Sequence, residues 1–248
     1  MERGYAKANP YGCGRKLTIT TFVLVHGSYQ GGWIWQRVAT RLREAGHTVY
    51  APTMDGCAER RHQLRPGIDT STYVAELADL LFYEDLRDVV LVGTSSGGMV
   101  VCGAAERMRH RVARLVLVDA LALFNGERTR DIVKRASTGP AVLAWGPSRE
   151  DAEKGLFADL DPATRAWALD RYTPHPTGCS ETPVRLTDFW DQSWKATVIW
   201  CRQAPNPGEA HQRRAAARLG AKWLELETGH YPMLTMPDEL TRMLIDGG

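Results

Sequence analysis

The segment Gly93-Thr94-Ser95-Ser96-Gly97 constrains this chain more than any other. It follows directly on the apolar run Val89-Val90-Leu91-Val92 and precedes a stretch with helical spacing. A G-x-S-x-G pattern between a strand and a helix predicts a sharp turn that lifts the serine hydroxyl clear of a sheet. Side chains at Gly93 or Gly97 would collide across such a turn, so glycine is required there. The N–H of Ser96 points into the same space, and the helix N-terminus adds positive potential to it. Ser95 is therefore read as a nucleophile. The competing reading is a glycine-serine turn that only packs, or that cradles phosphate. Against it, no G-x-G-x-x-G follows the first strand and no Walker lysine follows these glycines.

Around that motif, apolar runs alternate with helix-period segments, which predicts parallel strands joined by helices. Strands are expected at Thr20 to His26, His47 to Ala51, Val89 to Val92, Arg114 to Val118, Thr197 to Cys201 and Lys222 to Leu226. They are apolar at nearly every position, as in a sheet covered by helices on both faces. Helices are expected at Trp33 to Ala45, closed by Gly46, at Thr72 to Glu84, at Gly97 to Arg109 and from Pro237. Leu121 to Lys195 breaks the rhythm. It shows helical stretches at 128–136, 149–157, 162–171 and 185–192, shows no convincing strand, and carries Trp145, Trp167, Trp190 and Trp194. A segment of that length is too long for a structureless loop and reads as a helical cap. The division is a lead-in over 1–16, a core over 17–120 and 196–248, and a cap over 121–195.

A serine hydroxyl needs a base and an acid behind it. Where this elbow occurs, the chain order is serine, acid, histidine. Gly229-His230-Tyr231-Pro232 follows the last strand, so His230 is the base. His110 falls at the far end of the helix after Ser95. His175 falls in the cap, as an exposed residue or a substrate contact. The loop after Cys201 is the commonest place for the acid, yet Arg202 to Gly208 holds no carboxylate. Asp119, ending the fourth strand, is the expected acid. Glu209 is the fallback, although a first-turn helix position also suits a carboxylate. The first strand runs into His26-Gly27-Ser28-Tyr29-Gln30-Gly31-Gly32, whose glycines let backbone approach a substrate. The N–H groups of Ser28 and Ser96 are the expected oxyanion donors, and His26 is read as a brace for the loop. Tyr29, Trp145, Trp190 and Tyr231 are the expected substrate contacts.

Bulk properties fit an enzyme of small molecules. The 248 residues carry a formal net charge of +2, so composition gives no nucleic-acid footprint. No apolar run approaches the length of a membrane span, and Met1 to Lys16 lacks the apolar core of a signal peptide. A cytoplasmic protein is expected, with a homodimer left open. Cys13, Cys57, Cys102, Cys179 and Cys201 are scattered and form no C-x-x-C pair, so neither zinc nor a disulfide framework is signalled. No metal and no organic cofactor are expected.

From Phe22 onward the chain resembles the plant methylesterase/hydroxynitrile lyase branch of the α/β-hydrolases and its bacterial relatives. VLVHGSYQGGWIWQRVATRLREAGHTVYAPTMDG, YEDLRDVVLVGTSSGGMV, LVLVDAL and ELETGHYPMLTMPDEL carry the likeness. The resemblance implies an α/β-hydrolase fold: a mostly parallel six-stranded sheet flanked by helices, a helical cap after the fourth strand, and a Ser-His-acid triad. Thr94 stands where the esterases have His and the lyases Glu. Gly27 stands where the lyases have Thr, and Tyr231 where they have Lys. The lyase signature is absent and the esterase signature is incomplete. The expected activity is hydrolysis of an ester or thioester of a small, apolar or aromatic substrate. The alternatives are carbon–carbon lyase or cyclase chemistry on a polyketide-like substrate, and a non-catalytic binding protein.

Overall fold

A computed structural model of the chain describes residues 19–133 and 142–247. The expected lead-in over 1–16 and the last part of the helix expected over 128–136 lie outside the described residues. The core is one six-stranded sheet of β1 (Thr21–Val25), β2 (Thr48–Tyr50), β3 (Val89–Ser95), β4 (Val112–Ala120), β7 (Ala196–Cys201) and β8 (Lys222–Leu226). The spatial order is β2-β1-β3-β4-β7-β8, and every pairing is parallel. The short strands expected from apolar runs are all present, and β3 and β4 run longer than the runs themselves.

Helices cover both faces, which explains why the central strands β1, β3 and β7 are mostly apolar. They are α1 (Gln36–Glu44), α2 (Thr70–Tyr83), α3 (Gly97–Arg107), α4 (Pro162–Leu169), α5 (Glu209–Leu219) and α6 (Pro237–Ile245). Helix α1 buries Val38, Ala39 and Leu42 against the sheet, and Gly46 past its end has φ 87°. Asp69 caps α2 by accepting the Thr72 N–H at 3.0 Å. Two apolar clusters form, one on each side of the sheet. One contains Val23, Leu91, Leu117 and the inner faces of α2 and α3, and the other contains Phe22, Leu24, Val92 and those of α1 and α6.

The topology itself locates a site. From β1 the chain moves outward to β2 and then returns past β1 to β3. The loops leaving β1 and β3 therefore diverge at the carboxyl edge of the sheet, where open α/β sheets leave a crevice. Ser95 ends β3 at that edge with φ 50°. A Cβ on Gly93 would lie 2.7 Å from the Gly97 carbonyl oxygen, and one on Gly97 would lie 2.6 Å from that of His26. Real side chains do not come so close, so the turn can be this tight only with glycine at both places.

The segment between β4 and β7 contains α4, several single turns and a two-stranded antiparallel pair, β5 (Ala144–Trp145) with β6 (His175–Pro176). No strand was expected there. Each strand is two residues long, too short to leave an apolar or alternating pattern. The helix expected over 185–192 reduces to a 3₁₀ turn at Phe189–Asp191, preceded by irregular chain. The segment packs on the core through Phe157, Leu160 and Ala168, which join the cluster holding Tyr231 and Met233.

Candidate active site

His230 and Asp119 are 111 positions apart and meet directly. The His230 Nδ1–H donates to Asp119 Oδ2 at 2.5 Å. That bond fixes the imidazole tautomer and leaves Nε2 as the acceptor. Asp119 is fully buried, with φ 44°. Burial pushes its carboxyl above the usual range, and the hydrogen bond to His230 opposes that shift. Glu209 takes no part. It opens α5 and pairs with Arg213 at 2.7 Å, one turn along the same helix.

Ser95 and His230 line one cavity of about 680 Å³, within the range of small-molecule sites. The backbone ties its floor together. The Leu121 N–H donates to the Ser95 carbonyl at 2.8 Å, joining the chain after Asp119 to the elbow. Two residues at the start of α5 hold the same chain from outside. His211 Nε2 accepts the Ala122 N–H at 3.1 Å, and Gln212 donates to the Ala120 carbonyl at 2.9 Å. Burial lowers the His211 pKa to about 4, so the ring stays neutral and can accept. Sequence reasoning missed both residues, since no motif marks a helix turn that braces a distant loop.

The loop after β1 is equally constrained. His26 Nδ1–H donates to the Gly27 carbonyl at 2.8 Å, and its Nε2 accepts the Met54 N–H at 3.1 Å. Its pKa is lowered to about 4 by burial, and accepting the Met54 N–H requires the neutral ring. His26 is thus a brace between the loops after β1 and β2, as expected. The Gly27 N–H donates to Gln30 Oε1 at 3.1 Å. A Cβ on Gly27 would lie 2.5 Å from Ser95 Cβ, so the threonine of the lyases has no room here. The hydroxyls of Ser28 and Ser96 are hydrogen-bonded at 3.0 Å, which brings the two expected oxyanion residues together beside Ser95.

The other expected contacts divide. Tyr29, Trp145 and Tyr231 line the cavity. Tyr29 has φ 70° and meets Trp145 edge to face, with ring centroids 6.3 Å apart. Tyr231 stands edge to face with His230 at 5.1 Å. Trp190 does not line the cavity. Its N–H donates to the Leu123 carbonyl at 3.1 Å, and its ring packs on Phe124 and Phe189. An indole in an insertion can equally serve substrate or packing, and here packing takes it. His175 is neither exposed nor a cavity residue. It is buried beside Cys57 and stacks edge to face on Tyr29 and Tyr73. Thr94 is buried and also stays off the cavity wall. The loop after β7 supplies wall residues instead of an acid, among them Pro205, Asn206 and Pro207.

The sequence profile of the alpha/beta hydrolase family matches residues 22–243. The chain belongs to the alpha/beta hydrolase family. The carbendazim hydrolyzing esterase of Nocardioides sp. (strain SG-4G) is 29% identical to this α/β hydrolase over 240 residues, 91% of this chain and 98% of that one. Lipase LipV of Mycobacterium tuberculosis is 33% identical over 253 residues, covering 95% and 93%. Among solved structures, an extracellular alpha/beta-hydrolase from a Paenibacillus species superposes with a TM-score of 0.80 at 20% identity, over 92% of this chain and 99% of that one. That likeness is one of fold. Among the described residues, no helix of this α/β hydrolase is long and apolar enough to cross a membrane, and no group of three His, Cys, Asp or Glu side chains is placed to hold a metal ion.

Proposed function

We propose that this α/β hydrolase cleaves an ester or thioester of a small, apolar or aromatic substrate through an acyl-enzyme on Ser95. The observation that carries the reading is the Asp119–His230 bond of 2.5 Å at the wall of the cavity that also holds Ser95. Among relatives, the names of an esterase, a lipase and a methyl jasmonate esterase of Vitis vinifera support the same chemistry.

In the proposed reaction Ser95 Oγ attacks the carbonyl carbon, and its proton passes to His230 Nε2. Asp119 holds the ring and stabilises the imidazolium. The Ser28 and Ser96 N–H groups receive the oxyanion, helped by the N-terminus of α3. The bond to the leaving oxygen or sulfur breaks, and His230 returns the proton to that atom. Water, deprotonated by His230, then attacks the acyl carbon and releases the acid and Ser95. We read residues 121–195 as the cap that walls the substrate, and we place the enzyme in the cytoplasm. Thr94 does not favour a lyase, because its side chain stays off the cavity wall.

The test compares wild type and Ser95→Ala on short p-nitrophenyl esters and with a fluorophosphonate probe. Wild type is expected to label and turn over, and the variant to lose about 10⁴-fold or more in kcat. Turnover that survives in Ser95→Ala, or a wild type that neither labels nor turns over, overturns the proposal.

A further inference from the structure

The acidic groups at the cavity are not equivalent. Asp151 lines it but is occupied, hydrogen-bonded to the Ser148 hydroxyl at 2.7 Å at the start of a helical turn. Asp159 also lines it, and its carboxylate makes no ion pair and no hydrogen bond among the described residues. It is exposed to solvent. Its position is nevertheless defined. Asp159 Oδ2 sits against the Gly229 α-carbon, in the space where a side chain at 229 would begin. Gly229 immediately precedes His230. Asp159 is thus a carboxylate of the insertion pressed on the loop that carries the proposed base.

The rest of the wall fits one ligand chemistry. Among the described residues that line the cavity, none is a lysine or arginine. Tyr29, Trp145 and Tyr231 line the same space, and aromatic faces attract cations through their quadrupoles. Among the described residues, this carboxylate therefore meets no cation in a cavity that also holds three aromatic side chains.

We propose that Asp159 makes the cavity selective for substrates bearing a positively charged nitrogen, with its carboxylate as counter-ion. The proposal rests on the ester-hydrolase reading of the same site. The same charge repels anionic substrates and helps expel the carboxylate that hydrolysis produces. Solvent screening keeps the effect moderate, about fivefold in relative specificity.

The test uses a pair of matched shape, 4-(trimethylammonio)phenyl acetate and 4-tert-butylphenyl acetate. Their ratio of kcat/KM is measured for wild type, Asp159→Asn and Asp159→Ala. Intrinsic differences in leaving-group reactivity cancel between proteins, as does any general loss of activity. The ratio is expected to fall about fivefold in both variants, and raising the salt is expected to lower it in wild type only. A ratio unchanged within twofold in both variants overturns the proposal. Titration of phenyltrimethylammonium into Ser95→Ala protein, with and without Asp159→Asn, reads the preference without turnover. Binding weakened about fivefold by Asp159→Asn supports the proposal even if ester hydrolysis fails. Binding that ignores Asp159, or no binding, counts against it while leaving the hydrolase reading to the Ser95 test.

Discussion

Strands β4 and β7 are neighbours in the sheet, and the chain at their carboxyl ends is put to opposite uses. At β4 stands Asp119, fully buried, bonded to His230 and followed by residues held by Ser95, His211 and Gln212. After β7 the chain has no carboxylate before Glu209. Gln203 donates to Glu227 at 3.2 Å, and Gln203 and Pro205 to Pro207 form cavity wall. The same contrast separates the loops after β1 and β3, which are braced from within, from the insertion, whose wall residues include the exposed Asp151 and Asp159. Because parallel strands end side by side, a carboxylate at either end can reach one histidine. With Asp119 on β4 as the proposed acid, the loop after β7 is left to shape the cavity. Groups that must hold position are buried and tied to backbone, and groups that meet a variable ligand are not.

The largest effect expected from breaking this contrast is at Asp119. Asp119→Asn keeps the shape but presents an amide to His230 Nδ1 and favours the wrong tautomer. The expected outcome is a fall of about 10³ to 10⁴ in kcat with little change in KM, measured on a p-nitrophenyl ester beside a circular dichroism check of folding. A loss of less than tenfold would mean that the acid lies elsewhere.

Next comes the brace at His26. Its pKa of about 4 in the folded protein lies below the ordinary 6.5. A depressed value means that the unfolded chain takes up the proton first as pH falls. The stability is therefore complete above pH 6.5 and declines progressively down to pH 4, by about 3 kcal/mol. Urea unfolding of wild type and His26→Gln at both pH values should show that extra loss in wild type alone. Equal losses would show that His26 is not held neutral.

The smallest effect is expected at Glu209. Glu209→Gln should leave kcat/KM within about twofold, since the residue only pairs along α5 with Arg213. Steady-state kinetics settle this, and a loss comparable to that of Asp119→Asn would move the acid to the β7 side.

The parts of this molecule that were legible in sequence are those in which backbone geometry dictates residue type. The β3–α3 turn needs glycine at 93 and 97, and the buried parallel strands need continuous apolar runs. His230 and Asp119 follow from where such strands end. The insertion obeys no such rule. The β5–β6 pair rests on two residues per strand, and Trp190 and Trp145 look alike until packing assigns one to the core and the other to the cavity. Asp159 lies in no motif, and its meaning comes from Gly229, 70 positions away. His211 and Gln212 are likewise remote from the loop they steady.

The left-handed backbone at Ser95, φ 50°, has a consequence for what this scaffold can become. Residues branched at Cβ are poorly accommodated in that conformation, whereas Asn, Asp and unbranched small side chains tolerate it. Threonine is thus barred from position 95 by the main chain, although its hydroxyl is chemically close to that of serine. Cysteine and aspartate are admitted. The repertoire of attacking atoms that the proposed reaction could draw on at this position is filtered by torsion angle first and by reactivity second.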